Sequence, residues 1–186
     1  SNISSIEGVG YGVSMVEQDC NNNVIYENNF TGITANVINL YGSDTVIENN
    51  FIGNGLVDGI YISGSNIDVL NNTFFPPFFN CVYTTGATNV TIKQNSIDAC
   101  LFRAWRSELD TNVTFYNNTV DSAIALETPM SVDLGSEIYI QYNEIVNVPS
   151  GTYYIFNITN TNLLNIDNNL LLGGDNALVL NNVNNT

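Results

Sequence analysis

One short pattern returns seven times in this sequence, and it constrains the fold more than any other feature. In order, the units are VIYENNF from Val24, TVIENNF from Thr45, IDVLNNTF from Ile67, VTIKQNSI from Val90, VTFYNNTV from Val113, IYIQYNEI from Ile138 and LNIDNNLL from Leu164. Each opens with two alternating, mostly apolar residues: Val24/Tyr26, Thr45/Ile47, Ile67/Val69, Val90/Ile92, Val113/Phe115, Ile138/Ile140 and Leu164/Ile166. Three positions after the second comes an Asn: Asn29, Asn50, Asn72, Asn95, Asn118, Asn143 and Asn169, at intervals of 21, 22, 23, 23, 25 and 26 residues. Alternation with period two predicts short strands with one buried face. The period is too long for a hairpin and contains no helical segment. Each unit is therefore predicted to be one coil of a solenoid, its strands paired in parallel with the coils above and below. An Asn at each bend would then lie about 4.8 Å from its neighbours, where its amide can donate to one and accept from the other.

An earlier strand precedes each unit: GIYIS at 59–63, NCVYT at 80–84, ACLFR at 99–103, AIALE at 123–127 and NALVL at 176–180. A short Gly/Asn/Ser bend joins it to the unit, and a third strand and a variable loop close the coil. In the first two coils the Phe follows the Asn pair one residue early, which leaves their ladder register open by one. These units resemble the right-handed parallel β-helix repeats of the pectin-lyase-like superfamily over nearly the whole chain. The fold predicted is all-β: a right-handed, single-stranded parallel β-helix (solenoid) of about eight coils with an internal Asn ladder. Residues 1–186 read as one domain, expected to be a piece of a longer chain. Cys81 and Cys100 fall at equivalent inward positions of successive coils, as stacked core thiols or a disulfide, with stacked thiols favoured. Cys20 is expected to be free.

Register places the segment LFRAWRSELD (101–110), which holds both Arg and the one Trp. Cys100 and Phe102 point in and Leu101 and Arg103 point out, while 104–112 form a lengthened bend. Arg103 should stack on Glu127 of the next coil, and Asp98 on Asp121 at the start of the same strand, so that one outer face carries all four. Trp105, Arg106, Glu108 and Asp110 lie on the adjoining bend, with Asp58, Tyr61 and the loop FFPPFF (74–79) one coil earlier. Phe75, Phe78 and Phe79 are candidates for exposure. Rings beside charged groups can stack on the apolar face of a sugar and take its hydroxyls. The candidate ligand-binding set is therefore Tyr61, Phe75, Phe78, Phe79, Arg103, Trp105, Arg106 and Glu127. In the competing reading these groups only tie down a bend. Arg103 then pairs with Glu127, Arg106 pairs with Glu108 or Asp110, and Trp105 folds over Leu101 and Ala125.

The superfamily resemblance implies lyases, polygalacturonases and epimerases as activities, but its motifs are thin here. The segment 57–74 faintly resembles the Asn-Thr-Asp-Gly segment of polygalacturonases, yet Phe79-Asn80 stands where the next Asp is expected. Lys93 faces another side. An enzyme acting on acidic polysaccharide would use Asp98, Asp121 and Arg103. The same Asp98/Asp121 pair is the candidate calcium site, since Ca²⁺ takes six to eight oxygen ligands. No other cofactor is expected, and the absence of His with three scattered Cys makes a transition-metal site improbable.

The chain is 44% apolar and only 11% charged, with three Lys+Arg against eighteen Asp+Glu and a net charge of −15. Nucleic acid is excluded as a partner because no basic run exists to neutralise phosphates. No apolar run reaches the roughly 18 residues of a membrane span, so membrane insertion is not expected. The Asn-rich, Lys-poor, acidic composition is similar to adhesin-like surface proteins of methanogenic archaea. That likeness implies an extracellular or cell-surface structural and adhesive module, with glycans or a neighbouring cell surface as partner. Eight Asn-x-Ser/Thr sequons (Asn2, Asn29, Asn71, Asn89, Asn112, Asn117, Asn157, Asn184) are few more than chance supplies among 33 Asn. Asn29 is expected inside, and Asn89, Asn112 and Asn157 on exposed bends. Unpaired strand edges at the two ends need cover, from further domains of the same chain or other subunits. An outer stripe of Val82, Leu101, Ala125, Ile155 and Val179 would offer such a contact and keeps a phage or viral appendage open as a third reading.

Overall fold

The repeat closes into coils because each strand has an apolar partner one period away. In the computed structural model, which describes residues 10–15, 20–75, 77–98, 100–122, 128–151, 154–175 and 177–184, it folds as a parallel β-helix with three sheets. The first sheet stacks Val13–Met15, Ile38–Leu40, Ile60–Ile62, Asn80–Thr85, Arg103–Glu108, Met130–Asp133, Phe156–Thr159 and Leu178–Asn181. The second stacks the recurring units, from Val24–Tyr26 to Asn162–Asp167, and the third runs from Asn29–Thr31 to Leu170–Gly173. Seven coils are complete in all three sheets, and Leu178–Asn181 begins an eighth.

Interior residues stack in columns one coil apart. Ile38, Ile60, Val82, Trp105, Met130 and Phe156 line the first sheet. Ile25, Ile47, Val69, Ile92, Phe115 and Ile140 line the second. Phe30, Ile52, Phe74, Ile97, Val120 and Ile145 line the third. All are buried. At the last coil the columns run out. Leu178 and Leu180 follow Phe156 and Ile158 in register and, on the last described strand of the sheet, are 40% and 50% exposed.

The Asn ladder forms, and its first rung is Asn28 rather than Asn29. Each rung donates both its backbone N–H and its side-chain Nδ2 to Oδ1 of the next: Asn28 to Asn50, Asn50 to Asn72, Asn72 to Asn95, Asn95 to Asn118, Asn118 to Asn143 and Asn143 to Asn169. From Asn50 onward, each Nδ2 also donates to a main-chain carbonyl a coil back, such as that of Val69 for Asn95. Asn29 begins a third-sheet strand with its side chain exposed. The cause is a one-residue slip in the first unit: Ile25, not Val24 or Tyr26, turns inward, and Val24 is 69% exposed. Sequon residue Asn29 is thus outside, as is Asn89, while Asn112 and Asn157 are half-buried.

The ladder does not account for most of the Asn. Before every rung stands a residue with positive φ: Glu27, Asn49, Asn71, Gln94, Asn117, Tyr142 and Asn168. A second such column, Asn22, Asp44, Asn66, Asn89, Asn112, Glu137 and Leu163, makes the bend before the second sheet. Twelve of the twenty non-glycine residues with positive φ among the described residues are Asn. Asn tolerates this left-handed conformation better than other side chains do, so each coil's sharp corners select it.

Three placements differ from the sequence expectation. The first-sheet strand of the fifth coil is Arg103–Glu108, not 99–103, because 100–102 form a connection bonded to the previous coil through Cys81–Cys100, with Cα atoms 5.8 Å apart. The two Cys are thus disulfide-bonded and not register-equivalent, since Asn80 and Val82 pair with Arg103 and Trp105. In the sixth coil the strand is Met130–Asp133; the expected 123–127 lies outside the described residues, Glu127 and Ala125 included. The outer apolar stripe does not exist, because Val82 and Ile155 are buried in the core.

Candidate functional site

On a strand of the first sheet, side chains alternate in and out, and this decides what the molecule shows to solvent. In Arg103–Glu108, Trp105 and Ser107 are fully buried and Arg106 and Glu108 face out. Trp105 therefore leaves the candidate binding set: it is 0% exposed, its ring stacks on Phe115 at 5.2 Å, and its Nε1–H donates to Thr84 Oγ1. Alternation also puts Trp105 in the column of Val82, so the predicted lengthened bend does not form. Phe78 is likewise buried at 0%, packed where Gly55 leaves room for its ring.

What remains outside is an aromatic and charged column, one residue per coil. Tyr61, Tyr83 and Arg106 are register partners on the outer face. The rings of Tyr61 and Tyr83 meet edge to face at 5.3 Å, Tyr41 joins Tyr61 at 5.6 Å, and the Arg106 guanidinium lies 4.7 Å from the Tyr83 ring centre. Glu108 accepts from the Tyr83 hydroxyl at 2.6 Å and forms an ion pair with Arg106. Partial burial opposes ionisation of Glu108, but the hydrogen bonds from Tyr83 and Arg106 outweigh it and hold the carboxyl below its ordinary range. Burial pushes the Tyr61 hydroxyl up to about 12, helped by Tyr41, and raises Tyr83 as well.

Along the edge of this face runs Asp58, almost fully buried, whose carboxylate accepts from Asn80 Nδ2 at 2.8 Å. Desolvation raises its carboxyl above the usual range against those hydrogen bonds. Arg103 is the register partner of Asn80 and half-buried, so it opens the same edge. Asp98, Asp121 and Phe75 lie on the third sheet, and Phe79 precedes the first-sheet strand Asn80–Thr85. Asp98 pairs in register with Asp121, as expected, but on the third sheet and not on the first-sheet face of Arg103, because each closes a short strand that follows the ladder Asn; Asn147 donates to Asp121 at 2.9 Å. Phe75 and Phe79 are each 46% exposed; Phe75 packs on Phe51 and Phe79 stacks on Phe102. Sequence reasoning missed Tyr41 and Tyr83, although Tyr83 follows Tyr61 by 22 residues, one coil.

The chain's architecture has a known counterpart. A family model described as periplasmic copper-binding protein (NosD) matches residues 2–131, well over half of the sequence. The chain belongs to the NosD family. Among solved structures it is similar to the A-module of the mannuronan C-5 epimerase AlgE4 from Azotobacter vinelandii, with a TM-score of 0.62 at 12% identity. That likeness covers 88% of this chain and 53% of the other, so this chain spans about half of that module. No sequence match was found among curated proteins.

The family description names copper, and this NosD-family chain does not have a donor set to fit it. Copper sites are built from imidazole, thiolate and thioether groups. This sequence has no His, and Cys81 and Cys100 are bonded to each other. Of the two Met, Met130 is sealed in the core, so the free Cys20 and the partly buried Met15 are the soft donors left, fewer than a copper site takes. Among the described residues no three His, Cys, Asp or Glu converge on one point. Asp98 and Asp121 likewise have no third carboxylate grouped with them among the described residues.

Proposed function

We propose that this NosD-family chain is an extracellular structural and adhesive β-helix module of a microbial surface, binding glycans on the outer face of its first sheet. The observation that carries the reading is the Tyr61–Tyr83–Arg106 column, with Glu108 fixing the guanidinium. Rings held edge to face by a rigid sheet give a sugar an apolar surface with hydroxyl, guanidinium and carboxylate partners at its rim. A periplasmic family description is compatible with a location outside the cytoplasm. The exposed rings of Phe75, on the third sheet, and Phe79, just before the first-sheet strand Asn80–Thr85, would be a secondary contact. The ends of the solenoid would meet further domains or subunits.

An enzyme working through Asp98, Asp121 and Arg103 draws less support. The two Asp belong to the third sheet and Arg103 opens a strand of the first. The raised Tyr61 and Tyr83 hydroxyls would also be poor bases at neutral pH. Glycan-array binding followed by calorimetry tests the proposal. Tyr83→Ala and Arg106→Ala should each weaken the best glycan at least tenfold, while Lys93→Ala, on the second sheet, leaves it unchanged. Equal binding by all three variants would end this assignment.

A further inference from the structure

Beside the tyrosine column the surface dips into a groove of about 490 Å³ lined by Tyr41, Ser43, Ser63, Gly64, Ser65, Gly86 and Thr88. It follows the bend between first and second sheets over successive coils. Glycine makes it. A Cβ on Gly64 would collide with the Gly42 carbonyl oxygen, so the bend stacks tightly and leaves no side chain there. Gly86 has φ +61° and open space where its Cβ would be.

None of the seven lining residues carries a charge. The walls offer Ser and Thr hydroxyls and one half-exposed ring, Tyr41, which continues into Tyr61 and Tyr83. A phosphate or carboxylate would find no cation inside and would enter against a chain of net charge −15. A cationic ligand would find no carboxylate in the lining. An uncharged, hydroxyl-rich molecule with an apolar ring face matches both walls. The coil rise of about 4.8 Å also repeats hydroxyls along the groove, from Ser43 to Ser65 to Thr88, as a chain of pyranose units would need.

We infer that this groove is a subsite for the neutral part of a glycan, with Tyr41 as its stacking platform and Gly86 keeping it open. The inference rests on the glycan-binding reading above and names the sugar class. The test uses the full chain and calorimetry with mannohexaose, xylohexaose and cellohexaose, beside oligomannuronate as the acidic probe. Gly86→Asn fills the groove with a residue that accepts positive φ, and Tyr41→Ala removes the platform. Circular dichroism melts establish that both variants fold. At least one neutral hexasaccharide should bind, at least tenfold more weakly to Gly86→Asn and to Tyr41→Ala, with Tyr41→Phe close to wild type. Neutral binding untouched by both substitutions overturns the inference. Binding of oligomannuronate alone, lost in Tyr83→Ala, overturns it and leaves the glycan-binding reading standing. Binding of no glycan at all removes both.

Discussion

At the residue scale, buried polar groups show how little latitude a solenoid interior gives. Asp110 is 1% exposed and accepts from Ser107 Oγ at 2.6 Å, Thr84 Oγ1 at 2.5 Å and the Ala87 N–H at 2.8 Å. Thr84 also accepts from Trp105, so one carboxylate anchors a network reaching into the core. Burial nonetheless raises this carboxyl above its ordinary 3.8, against the hydrogen bonds that favour the charge. Folding thus prefers the protonated form. Its contribution is complete below the ordinary carboxyl value and is lost as pH rises through the raised one. Asp110→Ala, which leaves three donors without their acceptor, should cost roughly 2–4 kcal/mol in acid and less at neutral pH. Urea midpoints of wild type and variant between about pH 3.5 and 7 measure the difference. A cost that grows with pH would contradict the assignment. Glu108 and Asp133 have the opposite sign: their lowered carboxyls stabilise above the ordinary value, and the effect fades as pH falls through the lowered one.

At the scale of the element, the coil is held by its corners as much as by its strands. The residue before each ladder Asn takes positive φ and turns the chain, and the Asn then closes hydrogen bonds to both neighbouring coils. Replacing a mid-ladder rung removes the acceptor of two donors and the donor to a buried carbonyl. Each orphaned group costs about 1–3 kcal/mol, so Asn95→Ala should lose about 3–5 kcal/mol. Asn29→Ala, outside the ladder, should stay within about 0.5 kcal/mol of wild type, as exposed substitutions do. Guanidinium denaturation separates the two, and equal costs would refute the Asn28 register. The Cys81–Cys100 bond shows a coil accepting an insertion: the extra residues leave the stack as a pinned connection, and the strand resumes in register at Arg103.

For the molecule as a whole, protection should be graded along the axis, because each coil contacts only its neighbours. Central coils are covered on both sides, whereas Leu164, Ile166, Leu178 and Leu180 continue the interior columns with no further strand stacked on the last of each sheet among the described residues. Between them lies an apolar hollow of about 670 Å³ walled by Tyr139, Leu163, Leu164 and Leu180. Amide exchange should therefore be orders of magnitude faster in Asn162–Asp167 than in Thr111–Tyr116, although the two strands carry nearly the same pattern. Uniform protection across them would mean that the end is capped in solution.

The sequence by itself determined the solenoid, the second-sheet strands from the second coil on, and six of the seven ladder rungs, since these rest on spacing that repeats whatever lies between. It also paired Asp98 with Asp121. It misjudged Asn29 because ENNF reads equally well in two registers, and only the packing of Ile25 under Ile47 chooses between them. It put Trp105 outside because an insertion before Arg103 hides where the strand begins. Only the stack decides that: pairing with Val82 turns Trp105 inward, Thr84 meets its N–H, and Arg106 is left over Tyr83. The candidate face belongs to that decision, because a column of side chains from separate coils exists only once the register between them is fixed.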